Sequence, residues 1–136
     1  MANFLTNSHR NGAVRYPMAL DLNSADLVGM FVDNADDTAA VTDDFIDDIL
    51  SAARVPAIAS CPSLTGKTFG VVGVGVFDAD NLVFSALTGD PVEQFIVFYD
   101  STVEATSDIF ASWDVTLTPN GGDVTVVFNA SGLWKY

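Results

Sequence analysis

The chain has one cysteine, one histidine and five basic residues among its 136 residues, and each low count excludes a class of function. A single cysteine, Cys61, cannot form an intrachain disulfide or a multi-cysteine zinc site. Its neighbours Ser60 and Pro62 carry no activating charge, so we expect a plain buried thiol rather than a nucleophile. The sole histidine, His9, lies in a polar N-terminal stretch where a catalytic base would not be held in place. We therefore expect no enzyme.

The shortage of basic residues leaves the chain strongly acidic. Eighteen acidic residues against five basic ones give a formal net charge of −13. This charge repels phosphate backbones and anionic lipid surfaces, so we expect neither a nucleic acid nor a membrane as partner. The N-terminal residues lack the apolar core of a signal peptide, and no run approaches the ~20 apolar residues of a spanning helix. The charge suits a protein that faces outward from a particle, although solubility alone explains it equally well.

From Tyr16 onward, short runs of β-branched and aromatic residues alternate with Gly, Pro, Asn and Asp, a pattern typical of strands and turns. We expect a mainly β fold, a single small β-sandwich or barrel-like domain of about seven or eight strands. This domain spans residues 16–136 and follows an N-terminal arm, residues 1–15. The predicted strands after the Tyr16–Leu22 segment are Ala25–Asp33, Arg54–Ser60, Gly66–Phe77, Asn81–Leu87, Val92–Asp100, Asp108–Leu117 and Asp123–Asn129.

Two segments depart from the alternating pattern. In Thr42–Leu50 (TDDFIDDIL) the apolar residues fall at helical spacing and four aspartates take the other side, which predicts one short amphipathic helix over about 42–50. Phe95–Tyr99 is apolar at every position. A central strand covered on both faces is the favoured explanation, and a strand whose second face meets a partner is the alternative.

Motifs of cofactor and metal sites fail in detail. Leu64–Thr68 ends like a phosphate-binding loop, but Cys61 stands where that loop needs its first glycine. The glycines of Gly70–Gly75 occur in the reverse order of the dinucleotide fingerprint, and no helix follows them. Asp78–Asp80 begins like a calcium loop without its later glycine and glutamate. We predict no catalytic residue, no cofactor and no metal site, while weak cation binding by the acidic clusters stays open.

The order of several segments resembles a recurrent structural protein of tailed phages. The segments that carry the resemblance are DLNSADLVGMFVD at Asp21–Asp33, DDFIDDI at Asp43–Ile49, LTGKT at Leu64–Thr68, VFDAD at Val76–Asp80, FIVFYDST at Phe95–Thr102 and PNGGDVTV at Pro119–Val126. The resemblance runs from about Leu20 to the C-terminus. The chain departs from the family pattern in its N-terminal region and in the glycine-rich insert Gly70–Gly75, and either departure is a candidate for a different attachment surface.

The resemblance implies an accessory structural protein of a bacteriophage virion, with no active-site residues to carry over. Our first expectation is a capsid decoration (cement) protein that binds the outer shell and stabilises it. A tail, collar or fibre-base protein is the alternative, and a carbohydrate-binding module using aromatics such as Trp113 is the alternative of another class. In either virion location, assembly takes place in the host cytoplasm.

The expected partners are the major capsid protein and copies of the chain itself, as a homotrimer or homodimer. The few basic residues and the apolar C-terminal end are the parts that we expect to meet the shell. The candidate partner-binding residues are Arg10, Arg15, Leu133, Trp134 and Tyr136.

Overall fold

The computed structural model describes residues 4–5 and 25–135. It is mainly β with antiparallel pairing, which confirms the predicted fold class. Helical residues within this part are confined to 3-10 turns at Ile46–Asp48, Ser51–Ala53, Ile58–Ser60 and Glu104–Thr106. The strands are β1 Phe4–Leu5, β2 Leu27–Val32, β3 Arg54–Val55, β4 Thr68–Phe69, β5 Val76–Asp78, β6 Leu82–Phe84, β7 Val92–Tyr99, β8 Ile109–Leu117, β9 Val124–Val126 and β10 Trp134–Lys135.

A five-stranded sheet in the order β1-β8-β7-β2-β3 forms the centre of the fold. Its middle strand, β7, lies between β2 and β8 and pairs with both along most of its length. Successive side chains of a strand point to opposite faces, so Phe95 and Val97 enter one core while Ile96 and Phe98 enter a second. All four are buried. The prediction of a central strand covered on both faces is therefore confirmed.

Two smaller sheets, β10-β5-β4 and β6-β9, cover the first face of the central sheet. Their aromatic side chains pack against rings of the central sheet. The ring of Phe31 lies 4.7 Å from that of Phe84 and 5.4 Å from that of Phe95. The rings of Phe77 and Trp134 stack at 4.4 Å. This layer completes a small sandwich whose core is rich in aromatic side chains.

Gly29 lets the β6-β9 sheet approach the central sheet closely. A Cβ atom at this position of β2 would lie 2.3 Å from Leu82 Cδ2 and 2.9 Å from Phe95 Cε2. Both distances are far shorter than a normal carbon contact of about 3.5–4.0 Å. The glycine in the middle of an otherwise apolar strand is therefore explained by packing.

The second face of the central sheet is covered by the irregular segment 39–61. Ile46, Ile49 and Ala53 are fully buried there against a face that includes Met30 and Ile96. Gln94 is a buried polar residue of this face. Its amide group exchanges two hydrogen bonds with the backbone of Ala39, at 2.9 and 3.0 Å. The cover is thus fixed by apolar burial and by satisfied polar groups.

The helix predicted over 42–50 is corrected to a single 3-10 turn, Ile46–Asp48. The backbone N–H groups of Asp44 and Phe45 donate to the Asp48 carboxylate, and that of Ile46 donates to Ser107 O at 2.9 Å. The N–H of Leu50 donates to Asp37 Oδ2 at 2.8 Å. Aspartate side chains and a neighbouring loop thus take the backbone bonds that an α-helix would make internally.

Several predicted strands are shorter than the sequence pattern suggested. The segment 66–77 forms two strands, β4 and β5, joined by a hairpin loop, and the segment 54–60 pairs only over Arg54–Val55. β1, which falls within the predicted arm 1–15, pairs with β8 through Phe4 opposite Ser112 and Leu5 opposite Ala111. The predicted strand Tyr16–Leu22 lies outside the described residues.

Candidate docking surface

The β4–β5 hairpin, Phe69–Val76, carries a concentrated group of exposed apolar side chains. Phe69, Val71, Val72 and Val74 are 44, 77, 46 and 89% exposed. No charged residue occurs between Phe69 and Val76, although the chain as a whole is strongly acidic. Single exposed apolar residues are ordinary on protein surfaces, but a contiguous apolar patch marks an interaction site. The hairpin is therefore the first candidate for a docking element.

Backbone hydrogen bonds and glycines give the hairpin a defined shape. The N–H of Gly70 donates to Val76 O at 2.8 Å, and that of Val76 donates to Gly73 O at 3.0 Å. Gly70 and Gly75 have φ angles of 76° and 73°, in the left-handed region that favours glycine. The glycine-rich insert therefore forms a closed turn that displays valines.

The root of the hairpin is held by the core. Phe77 is fully buried and stacks on Trp134, and its carbonyl oxygen accepts the N–H of Leu133 at 2.8 Å. A Cβ atom at Gly132 would lie 2.2 Å from Val76 Cγ1, so the C-terminal segment packs tightly on the start of β5. An apolar tip on a fixed root loses little conformational freedom when it binds.

An apolar cavity of about 270 Å³ opens beside this root. Gly132 and Leu133, which hold the hairpin, also line the cavity. Among the described residues that line it none is charged, and they are mainly aromatic and aliphatic, including Phe95, Trp113, Val115, Val126 and Phe128. The volume lies below the roughly 300–1,000 Å³ of typical small-molecule sites. The cavity suits a few apolar side chains better than a large ligand.

The candidate contact residues predicted from sequence have different positions. Arg10, Arg15 and Tyr136 lie outside the described residues. Leu133 is half-buried at the cavity, and Trp134 is 8% exposed with its ring on Phe77, so this indole belongs to the core. Leu133 and Trp134 therefore support the root of the hairpin from the core side and are not among its exposed side chains.

The sequence analysis assigned the exposed hairpin residues to a long strand, Gly66–Phe77, and named the insert Gly70–Gly75 as a candidate attachment surface without including it among the partner-binding residues. The available signal was the insert itself, in which four valines and three glycines follow one another without a polar residue from Gly70 to Val76. Alternation could not reveal it, because a buried strand and an exposed apolar hairpin have the same composition.

Acidic side chains cluster elsewhere. Within residues 25–135, the carboxylate oxygens of Asp33, Asp36 and Asp90 lie within 4.8 Å of one another, with Asp33 buried and the other two exposed. Asp33 Oδ1 accepts the N–H of Ala35 at 2.8 Å. Oxygen ligands of this kind attract hard cations, but such groups are also ordinary on a strongly acidic surface. The sequence had directed attention to other aspartates, at 43–48 and 78–80.

Burial raises the pKa of the Asp43 carboxyl group, and the nearby carboxylates of Asp48, Asp37 and Asp44 act in the same direction. The hydrogen bond that Asp43 accepts from Ala40 N–H, at 2.7 Å, acts in the opposite direction. Asp43 therefore carries its charge at a cost that the fold has to offset.

Cys61 and Lys67 both contact the backbone of the chain itself. Burial, and secondarily the Asp100 carboxylate, raises the pKa of the Cys61 thiol to about 12. The thiol contacts the carbonyl oxygen of Ala57 at 3.5 Å. The ammonium group of Lys67 donates to the carbonyl oxygen of Ala25, two residues before β2 begins. Lys67 therefore stabilises the start of this strand, and this contact gives it a structural role in place of the phosphate contact of a phosphate-binding loop. The thiol is a poor nucleophile at neutral pH.

No protein-family model matches the chain, and no curated protein matches it. Within the described part, no helix is long and apolar enough to cross a membrane.

Proposed function

We propose that the protein is a non-enzymatic, accessory structural protein of a tailed-phage virion, and specifically a capsid decoration protein that binds the outer shell. The observation that carries the binding role is the apolar, charge-free hairpin Phe69–Val76 on a domain of net charge −13. The phage assignment is supported by the resemblance in motif order from about Leu20 to the C-terminus.

The distribution of charge and apolar surface supports a docking role. Interface cores are depleted in charged residues and enriched in apolar ones, as the hairpin is. The carboxylates on the rest of the domain keep the particle surface hydrated and soluble. A small domain repeated across a shell would add its contact energy at every copy, so modest binding at one site yields a large total stabilisation.

Addition of the purified chain to undecorated capsids of the parent phage tests this proposal. We expect stoichiometric binding in a sedimentation assay and a higher melting temperature of the capsid. The Val74→Asp variant places a charge at the most exposed valine of the hairpin, and we expect it to bind at least about tenfold more weakly. Val103→Asp is a matched control, because Val103 is 56% exposed in another loop.

The outcome also separates the alternatives. Binding to isolated tails but not to capsids would replace decoration by a tail, collar or fibre-base role. Binding to glycans alone would favour a carbohydrate-binding module. A chain that binds neither capsids nor tails, or binds capsids equally well with Val74→Asp, would overturn the assignment of the hairpin as the attachment element.

A further inference from the structure

We infer that the partner of the hairpin Phe69–Val76 is a polypeptide edge, an extended segment with free backbone carbonyl groups, and that lysine or arginine side chains flank this edge. The partner's carbonyl groups accept hydrogen bonds from the hairpin backbone, while its apolar side chains pack on the hairpin valines. The inference rests on the proposed docking role of the hairpin, and it adds the chemistry of the surface to which the hairpin binds.

The tip of the hairpin has backbone donors that the chain itself does not use. Within the described residues, none of the five N–H groups of Val71–Gly75 donates a hydrogen bond. The N–H groups on either side, those of Gly70 and Val76, bond inside the hairpin at 2.8 and 3.0 Å. Water satisfies the tip donors in the free chain, because this segment lies at the surface. Burial of the apolar tip against a partner removes that water.

The unused donors restrict which surfaces can bury the tip. A backbone N–H that loses water without gaining another acceptor destabilises the bound state. A lipid chain or a wholly apolar pocket offers no acceptor. A carboxylate-rich surface offers acceptors, but a domain of net charge −13 repels it. Neutral backbone carbonyl groups meet both conditions, and the exposed edges of strands present them in rows.

The glycines of the hairpin allow a second backbone to come close. A Cβ atom placed on Gly70 would have no atom within 4 Å, so the space beside this residue is open. Gly73 and Gly75 likewise add no side chain between the valines. The segment from Gly70 to Gly75 forms bends and a turn rather than a strand, so we expect a few individual hydrogen bonds and not a regular ladder.

Charge at the root of the hairpin indicates which side chains flank the partner edge. Asp78 lies in β5 and Asp80 follows it, and both are at least partly exposed. Within the described residues, neither carboxylate forms an ion pair. Lys67, just before β4, directs its ammonium group to the carbonyl oxygen of Ala25. A partner edge flanked by lysine or arginine complements the two carboxylates, whereas an acidic edge is repelled.

Amide hydrogen exchange of the unchanged chain tests the backbone contact. The chain bound to undecorated capsids of the parent phage is compared with the free chain by mass spectrometry. We expect the amides of Val71–Gly75 to exchange rapidly in the free chain, and some of them at least about tenfold more slowly in the complex. The amides of Gly70 and Val76 are internal controls, because both are already bonded within the hairpin. Unchanged exchange at all five tip positions overturns the inference.

Proline at a tip position removes one backbone donor and keeps an apolar side chain. Val74 is the second residue of a turn closed by the bond from Val76 N–H to Gly73 O, a position that favours proline. We expect at least one of Val72→Pro and Val74→Pro to bind capsids at least about fivefold more weakly, the effect of one lost hydrogen bond. Val72→Ile and Val74→Ile keep the donor and are expected to stay within about twofold of the original. Thermal melting shows whether each variant is folded.

Salt and a charge variant test the basic flank of the partner. We expect binding to capsids to weaken at least about threefold between about 0.05 and 0.5 M salt, because screening reduces ionic attraction. Asp78→Asn is expected to weaken binding by a similar factor at low salt. Asp47→Asn is the matched control, because Asp47 is exposed in the segment that covers the opposite face of the central sheet. Binding that strengthens with salt and ignores Asp78→Asn overturns the basic partner.

The results separate this inference from the proposed function. If Val74→Asp weakens binding to capsids but the proline variants match the isoleucine variants, the decoration role stands and the backbone contact is overturned. Binding to tails alone, with weakening by proline and by salt, supports this inference and overturns the decoration role. A chain that binds neither capsids nor tails overturns both. Sedimentation with phosphatidylcholine vesicles is expected to show no binding, and vesicle binding that survives Val74→Pro would make a lipid surface the occupant.

Discussion

Replacing Gly29 by alanine tests the packing between the central sheet and the β6-β9 sheet. The added Cβ atom would lie 2.3 Å from Leu82 Cδ2 and 2.9 Å from Phe95 Cε2, and both side chains are buried. Relief requires one of them to move by more than about 1 Å, since carbon atoms pack at about 3.5–4.0 Å. Overpacking of a core costs about 1–3 kcal/mol. Alanine also lowers the conformational entropy of the unfolded chain, which offsets less than about 1 kcal/mol of this loss. We expect Gly29→Ala to lower the free energy of unfolding by about 2–3 kcal/mol.

A double-mutant cycle with Leu82→Ala identifies the cause. Leu82→Ala alone is expected to cost about 3 kcal/mol because Leu82 is 4% exposed. In the Gly29→Ala background the new methyl group occupies part of the vacated space, so the double mutant is expected to lose at least about 1 kcal/mol less than the sum of the single losses. Urea denaturation measures all four free energies. Additive losses, or a Gly29→Ala protein within about 0.5 kcal/mol of the original, would refute the close-approach argument.

The remaining predictions concern the segment 39–61 and the ion pair that joins it to Glu104. Arg54→Met removes three hydrogen bonds to the carbonyl oxygens of Ile46 and Ile49, so we expect a loss of about 3 kcal/mol in urea denaturation. Glu104→Gln changes the 53% exposed partner of the Arg54 ion pair and is expected to cost less than about 1 kcal/mol. If Arg54→Met and Glu104→Gln cost the same, the backbone hydrogen bonds of Arg54 are not the main source of its stabilisation. Because burial raises the pKa of Asp43 in the folded chain, its ionised form lowers stability above that pKa, and the penalty vanishes as pH falls below the unfolded value. Asp43→Asn is therefore expected to be more stable than the original at pH 7 and to lose this advantage on acidification, whereas a pH-independent difference would argue against the effect. Cys61, with its pKa raised to about 12, is expected to react with a thiol reagent at pH 8 much more slowly in the folded chain than in urea, and equal rates would show an accessible thiolate.

The central strand is the element that sequence reasoning predicted best. Phe95–Tyr99 is apolar at every position, and burial on both faces is the physical requirement that such a run satisfies. The turns after β5, β6 and β8 were also recognisable, because Gly, Pro, Asn and Asp adopt the conformations that tight turns need.

The segment 42–50 shows where local pattern reasoning stops. Its apolar spacing favours a helix, yet Leu50 is 60% exposed, while Ile46 and Ile49 are buried under a 3-10 turn. The competing bonds to Asp48, to Asp37 and to the loop near Ser107 depend on residues brought close by the fold. A segment this short has little helical stability of its own, so tertiary contacts decide its conformation.

The candidate docking surface was only partly predictable for a related reason. The sequence contains the apolar Gly70–Gly75 insert, but exposure is a property of the assembled fold, and the same residues would suit a buried strand. The cavity depends on still more distant parts of the chain, since Phe95, Trp113 and Leu133 line it from different strands and loops.

The amino-acid sequence by itself determined the mainly β class, the strong negative charge and the double-sided burial of the central strand. These properties follow from the amino-acid composition and from the hydrophobic pattern within single segments, so they do not depend on which distant residues meet. Only the tertiary structure decided that the acidic segment 42–50 is not a helix, that Trp134 belongs to the core, and that the hairpin Phe69–Val76 stands exposed beside an apolar cavity. Each of these outcomes depends on which distant residues meet, and therefore on the free energy of the whole packed chain.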